Sequence, residues 1–221
     1  MLLFNNPDPL FLLGFLLAMV VAVTVHEFAH NYVAYQMGDP TPAELGKLTL
    51  NPLAHVWWPG WIMFLLIGFA PLGFAQMNPN RMRNPRWGYF YAVAAGPFSN
   101  LFLAVVFALI ANIVFSPALL FAGPGASAAN PLLIFLRLSV YLNCLLFMFN
   151  LLPLFPIDGW TMVYCLLPPD LAYTWGGWQQ QTQYVLFGLI FLSFVPGFPP
   201  LLSYVVFNPA TQIYFTLMGI G

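Results

Sequence analysis

Charge is scarce in this chain: of 221 residues, five are Lys or Arg, six are Asp or Glu, and 61% are hydrophobic. A soluble domain needs roughly 25% charged residues, so the composition excludes one and selects a lipid bilayer as solvent. No basic stripe is present and the formal net charge is −1, which excludes nucleic acid as a partner. Cysteine is nearly absent as well. Cys144 and Cys165 stand apart in apolar surroundings, without the paired spacing of a disulfide framework or a thiolate metal site, and read as buried, inert thiols. The N-terminal "MLLFNNPDPL" lacks a basic region and a small-residue cleavage site, so the first apolar run is expected to be a retained span. Internal repeats, low-complexity linkers and a soluble domain are missing too. A single membrane domain is expected over residues 1–221.

What is present is a series of long apolar runs. Crossing ~30 Å of hydrocarbon takes about 20 helical residues. Six Asn-Pro pairs (Asn6-Pro7, Asn51-Pro52, Asn78-Pro79, Asn84-Pro85, Asn130-Pro131 and Asn208-Pro209) fall at the ends of these runs, where proline restricts the residue before it and stops a helix. Between them, helical spans are expected near Leu10 to Met37, Trp87 to Phe115, Pro131 to Leu152 and Tyr184 to Phe207. The shorter apolar stretch Trp57 to Ala75 is broken by Pro59, Gly60, Gly68, Pro71 and Gly73 and reads as a re-entrant hairpin packed against a site, because irregular backbone at membrane depth must be satisfied by protein or trapped water. The expected fold is an all-α polytopic membrane protein with about four transmembrane helices plus that hairpin. Lys47, Arg81, Arg83 and Arg86 all lie between the first span and the one starting near Trp87, which puts that side in the cytoplasm by the positive-inside rule. Arg137, inside an apolar run, is expected to snorkel outward.

Against this background, "VTVHEFAHNY" at residues 23–32 places two histidines and a glutamate in the first span. His26 and His30, at i and i+4, share one helix face and can both reach one metal ion, with Glu27 turned roughly 100° aside. This is the H-E-x-x-H pattern, in which two imidazoles hold zinc and the glutamate is the general base for water. An ionisable residue in a span costs ~2.5–3.5 kcal/mol, and three together call for a compensating partner. Zn2+ supplies one. Catalytic zinc takes a third protein ligand and keeps the fourth position open. Asp8 and Asp170 lie at span ends or in loops, and Asp39 and Glu44 follow the first span too closely to fold back. Asp158, in "NLLPLFPIDGW", is the preferred candidate, although an Asp-Gly turn explains it as well. With Trp57 to Ala75 re-entrant, the next two spans run out and back, and Asp158 arrives on the histidine side. As a full crossing, that stretch would leave Asp158 on the opposite face.

"HEFAH" followed by "NLLPLFPIDG" resembles the site-2 protease family of intramembrane zinc metalloproteases, and "AAGPFSNLFLA" at residues 94–104 is similar to that family's small-residue helix start. The resemblance covers the motif core, about residues 20–160, with a C-terminal helix about 184–207 beyond it. It implies an endopeptidase that hydrolyses a peptide bond in or near a substrate transmembrane helix. His26, His30 and Asp158 would ligate zinc, Glu27 would act as general base, and Asn150 and Pro153 would contact the substrate, Asn150 at its backbone or oxyanion. A minimal form without a PDZ or CBS domain is expected, with substrate choice falling to the membrane core, a regulatory partner or an oligomer. A bacterial or archaeal cell membrane with the active site toward the cytoplasmic face is expected.

Smaller features fit around this reading. "GKLTL", residues 46–50, alternates like a short membrane-associated β-strand onto which an extended substrate could add. His55 is a candidate fourth or regulatory ligand. The family's H-x-D-P-x-G stretch here reads His55, Val56, Trp57, Trp58, Pro59, Gly60, without the acid. Ala94, Ala95, Gly96 and Ser99 supply close helix packing, Pro97 suits a first helical turn, and Asn100 bonds a neighbouring helix. "GGWQQQTQ", residues 176–183, reads as an interfacial lead-in to the last span. Two rival functions share the histidines: a zinc-binding membrane transporter or sensor, which leaves Glu27 unexplained, and a catalytically silent scaffold of the same family.

Overall fold

The computed structural model describes residues 8–67, 70–116, 119–120 and 130–219. Asn6-Pro7, the rest of the N-terminal stretch and Gly68 lie outside them. In chain order the helices are α1 (Pro9–Gln36), α2 (Thr41–Glu44), α3 (Trp58–Ile67), α4 (Pro85–Val114), α5 (Pro131–Asn150), α6 (Asp158–Leu166), α7 (Pro169–Gly177), α8 (Gln179–Leu192) and α9 (Asn208–Leu217). Short 3₁₀ turns occupy Pro52–Ala54 and Pro79–Arg81, and a π-helical turn spans Ser203–Phe207.

The Asn-Pro pairs do their work on the following element. Asn51, Asn78, Asn84 and Asn130 each stand at an N-cap, where the side-chain oxygen accepts a hydrogen bond from a first-turn N–H and the next residue, proline, has no N–H to satisfy. Asp8-Pro9 opens α1 in the same way, through a 2.9 Å bond from the Leu10 N–H. The punctuation read as stops is therefore a set of starts. Asn208-Pro209 departs from both readings, because Asn208 is already helical where the π turn runs into α9.

Three helices, α1, α4 and α5, are long and apolar enough to cross a membrane, and they pack on one another as the centre of the molecule. Small residues bring them close. Ala104, Ala108 and Ala111 line the face of α4 that meets Leu133, Leu136, Val140 and Cys144 of α5, and Phe15, Ala18, Met19 and Val23 of α1 meet Leu142 of α5. The fourth expected span is corrected. Residues 184–207 break after Leu192, since Pro196, Pro199 and Pro200 lack the N–H groups a helix requires and Gly197 adopts φ +83°. Pro97 sits inside α4 rather than in a first turn. The expected strand at 46–50 is also absent: Gly46 turns left-handed at φ +66°, and among the described residues the β pairing is a single isolated bridge, Val56 to Gly73. Arg137 is half-buried and donates to the Leu120 carbonyl beyond the C-terminus of α4.

Residues 37–84 begin and end at the same end of the bundle. The Arg83 N–H donates to the Met37 carbonyl at 2.9 Å, joining the end of α1 to the start of α4. Asp39, fully buried, accepts from the Thr41 N–H at 3.0 Å and the Asn78 N–H at 2.6 Å. Arg81 forms a fork on Glu44 at 2.6 and 2.7 Å, and that hydrogen bond holds the Glu44 carboxyl below its ordinary value. Being exposed, the pair adds little stability. Within this segment α3 is clasped at its base. The Trp57 N–H and the Trp61 Nε1–H both donate to the Leu72 carbonyl, at 3.0 and 2.9 Å, and Gly60 lies so close to the returning chain that a Cβ there would meet the Pro71 oxygen at 1.8 Å.

Gly60→Ala must therefore part α3 from residues 71–73. We expect a loss of about 1–3 kcal/mol, the range for overpacking a tight contact, together with faster amide exchange at Trp57. Unchanged protection at Trp57 would contradict the clasp.

Candidate metal centre

His26 and His30 occupy one face of α1, as their spacing requires, with their rings edge to face at 4.5 Å. Each Nδ1 is committed elsewhere. His30 Nδ1 lies 2.9 Å from the Ala92 carbonyl, and His26 Nδ1 lies 2.7 Å from Asn100 Oδ1, both on α4. A carbonyl oxygen only accepts, so His30 carries its proton on Nδ1 and turns the Nε2 lone pair inward. The two Nε2 atoms stand 3.0 Å apart.

Asp158, the first residue of α6, brings its carboxylate to the same point. Its Oδ2 lies 3.2 Å from His26 Nε2 and 3.3 Å from His30 Nε2, buried and with no hydrogen-bond partner of its own. Among the described residues, His26, His30 and Asp158 form the one group of three such side chains whose donor atoms converge in this way. Gly159 lets the segment bend under the preceding loop, since a Cβ there would meet the Leu151 and Leu152 carbonyls at 2.4–2.5 Å. At the far end of α6, Arg86 of α4 donates to the carbonyls of Cys165, Leu166 and Leu167 at 2.6, 3.1 and 2.8 Å. That guanidinium ties down the helix that carries Asp158. Burial pushes the neighbouring Cys165 thiol up to about 11, against the pull of Arg86, so it stays a protonated, unreactive thiol.

Two inward lone pairs and a carboxylate oxygen within 3.3 Å of one another repel unless a proton or a metal cation lies among them. Their spacing fits zinc: ligands at about 2.0–2.1 Å in a tetrahedron lie roughly 3.3 Å apart. Two nitrogens and one oxygen, with further positions open, form the donor set of a catalytic zinc site rather than a structural one. Room is kept by Gly96 of α4, where a Cβ would fall 2.2 Å from His30 Nε2 and 2.8 Å from His26 Cε1.

Glu27 is buried beside the imidazoles on α1 and is roofed by Gly73, where a Cβ would lie 2.9 Å from Glu27 Cγ and 3.1 Å from Oε1. The returning arm of the clasped segment thus lies directly on the glutamate. His55 stays outside the converging group. It is 2% exposed, and its Nε2 bonds the Thr49 carbonyl at 2.8 Å. Asn150 donates to the Leu146 carbonyl one turn back in α5, at 2.9 Å, and Pro153 is exposed in the loop that follows. Reading the sequence alone gave Asn143, Gly73 and Arg86 no role at the site, took Gly96 for close packing, and expected of Asn100 only the bond to a neighbouring helix that it makes to Ala22 and Asn143. Asn143, a polar side chain within an apolar run, carried the same warning as the histidines.

A helical membrane bundle that gathers an H-E-x-x-H pair and a distant aspartate around one cation-sized space is the architecture of a membrane-embedded metallopeptidase. A family model, Peptidase family M50, matches residues 14–170. YwhC of Bacillus subtilis (strain 168), named as a candidate zinc metalloprotease, is 36% identical over 201 residues, 90% of this chain and 86% of its own length. Rip2 of Mycobacterium tuberculosis, named likewise, is 30% identical over 161 residues in each of two strains, covering 69% of this chain and 55% of Rip2. No solved structure matches. The chain belongs to peptidase family M50, the site-2 protease family, and is a zinc metalloprotease of the membrane.

Gly96→Ala suits a helix by propensity yet intrudes on His30. We expect a folded protein that loses most of its zinc, measured by metal analysis after purification. Full occupancy would show that the close approach of Gly96 is unimportant.

Proposed function

We propose that this protein is an intramembrane endopeptidase that hydrolyses a peptide bond in or near a substrate's transmembrane helix. His26, His30 and Asp158 hold the zinc, and Glu27 is the general base. The observation that carries this reading is the convergence of His26 Nε2, His30 Nε2 and Asp158 Oδ2 within 3.3 Å, on a membrane-spanning helix that buries Glu27 at the next position after His26. Zinc bound there supplies Lewis acidity, which polarises a carbonyl and lowers the pKa of water toward ~7.

The chain's own residues do the rest. Glu27 takes a proton from the attacking water at its carboxylate and passes it to the leaving amine. Its burial under Gly73 keeps bulk water from competing for that proton. Asn150 and Pro153, where α5 gives way to the loop before Asp158, contact the substrate backbone. A substrate helix must unwind there, because its carbonyls are otherwise held in its own hydrogen bonds. The substrate is thus a transmembrane protein, delivered through the bilayer, with selection by a partner or oligomer.

The site opens toward the cytoplasm of a bacterial or archaeal cell membrane. Lys47, Arg81, Arg83 and Arg86 support this, since all belong to the end of the bundle where α1 stops and α4 starts. Residues 57–75 are a re-entrant hairpin, a reading supported by the clasp at Leu72 and by the Met37–Arg83 bond that returns the chain to its starting end.

Two measurements test this reading. Glu27→Gln should keep zinc and lose cleavage of membrane substrates by at least ~10²-fold, the usual scale for a lost general base. Wild-type cleavage would remove Glu27 from that role, and a protein that binds zinc without any cleavage would favour a transporter or sensor. Separately, single cysteines at Asn80 and Ser116 in a background lacking Cys144 and Cys165 should label from opposite faces. Labelling from one face would refute the span arrangement.

A further inference from the structure

The side chain behind His26 is part of a longer construction. Asn100 on α4 is fully buried, with Oδ1 2.7 Å from His26 Nδ1, while its Nδ2 lies 3.2 Å from the Ala22 carbonyl of α1 and 2.8 Å from Asn143 Oδ1 of α5. Asn143, equally buried, places its own Nδ2 2.8 Å from the Ser139 carbonyl one turn back in α5. Two of these partners, the Ala22 and Ser139 carbonyls, are backbone oxygens that can only accept. Each therefore demands an amide N–H, and that demand removes the two-fold freedom of both asparagines. Asn143 must aim Nδ2 at Ser139, which leaves Oδ1 facing Asn100. Asn100 must aim Nδ2 at Ala22 and Asn143, which leaves Oδ1 facing His26. His26 then has only a donor to offer.

We propose that Asn100 and Asn143 are positioning residues that hold the proton of His26 on Nδ1, so that Nε2 is presented as a lone-pair donor before any metal arrives. The amide chain is oriented by the backbone of α1 and α5 rather than by the ion. His30 gets the same instruction directly from the Ala92 carbonyl. Both imidazoles are thus set in the ligating tautomer by carbonyls of the three spanning helices. Hydrogen bonds among buried asparagines also join membrane helices. Simple adhesion of this kind would not require every amide in the series to point one way.

The inference rests on His26 being a zinc ligand, and the tests separate the two claims. The chain has only three histidines, so a ¹⁵N-histidine-labelled, metal-free sample in micelles gives a resolvable spectrum. His26, identified by its loss in His26→Gln, should show a protonated Nδ1 and a bare Nε2. The opposite tautomer, or rapid averaging of the two, would overturn the proposal whatever the protein does with zinc.

Asn143→Leu touches neither His26 nor the metal position and leaves Asn100 held against turning only by its longer, 3.2 Å bond to the Ala22 carbonyl. The zinc dissociation constant, measured by chelator competition, should rise about tenfold, the lower end for loss of a ligand's supporting hydrogen bond. Asn143→Asp should keep wild-type affinity, because as a neutral acid its O–H still donates to Ser139 and its C=O still accepts from Asn100. Should Asn143→Leu not fold, Asn100→Asp offers a second reading: it still accepts from His26 Nδ1 and should lose less than the about tenfold expected for a severed support, whereas a larger loss would overturn the positioning role. Wild-type affinity in Asn143→Leu, or equal weakening in Asn143→Leu and Asn143→Asp, would reduce the asparagines to helix adhesion. A wild-type protein that takes up no zinc would instead overturn the ligand reading itself.

Discussion

Three electron-rich atoms from two distant parts of the chain are held closer together than they would choose to be, inside a bundle too apolar to screen them. Everything else near the site can be understood as the means of keeping them there. The imidazoles are restrained from behind by α4, at Ala92 and Asn100, and the carboxylate is carried in on a helix whose far end Arg86 grips. Gly96 removes the one side chain that would occupy their meeting point. Because lipid cannot satisfy a polar group, each of these restraints ends on a protein carbonyl or amide.

α4 is the common support. It touches α1, α5 and α6, and it provides the acceptors for both histidines, the space at Gly96 and the guanidinium for the ligand-bearing helix. Pro97 inside it is tolerated because neighbouring helices surround that turn, an allowance membrane helices make more readily than soluble ones. The clasped segment around α3 is fixed at its base through the Leu72 carbonyl and the Gly60 contact, packs Trp61 and Phe64 against the α1 face that carries Phe15, and lays Gly73 on the buried glutamate.

Much of this could be read from residue order. The convergence of His26, His30 and Asp158 follows from helix period, charge economy and the need for two distant motifs to meet. The fourth span could not be read correctly from hydropathy, because Pro196, Gly197, Pro199 and Pro200 interrupt a run that remains apolar throughout. The strand at 46–50 failed for a related reason: five alternating residues without a partner strand do not make a sheet. Four of the Asn-Pro pairs, at Asn51, Asn78, Asn84 and Asn130, mark boundaries from the other side, as proline blocks a helix behind it while its asparagine caps the turn ahead. The roles of Asn100, Asn143 and Arg86 depend on which carbonyl lies opposite, and a sequence does not print its carbonyls.

The nine residues of α6 span from Asp158, among the histidines of α1, to carbonyls seized by Arg86 of α4. The segment is a strut with two moorings, one among the imidazoles and the other a guanidinium, with Gly159, Trp160 and Cys165 buried along it. The place of the carboxylate among the imidazoles therefore depends on a hydrogen bond made at the opposite end of the same helix.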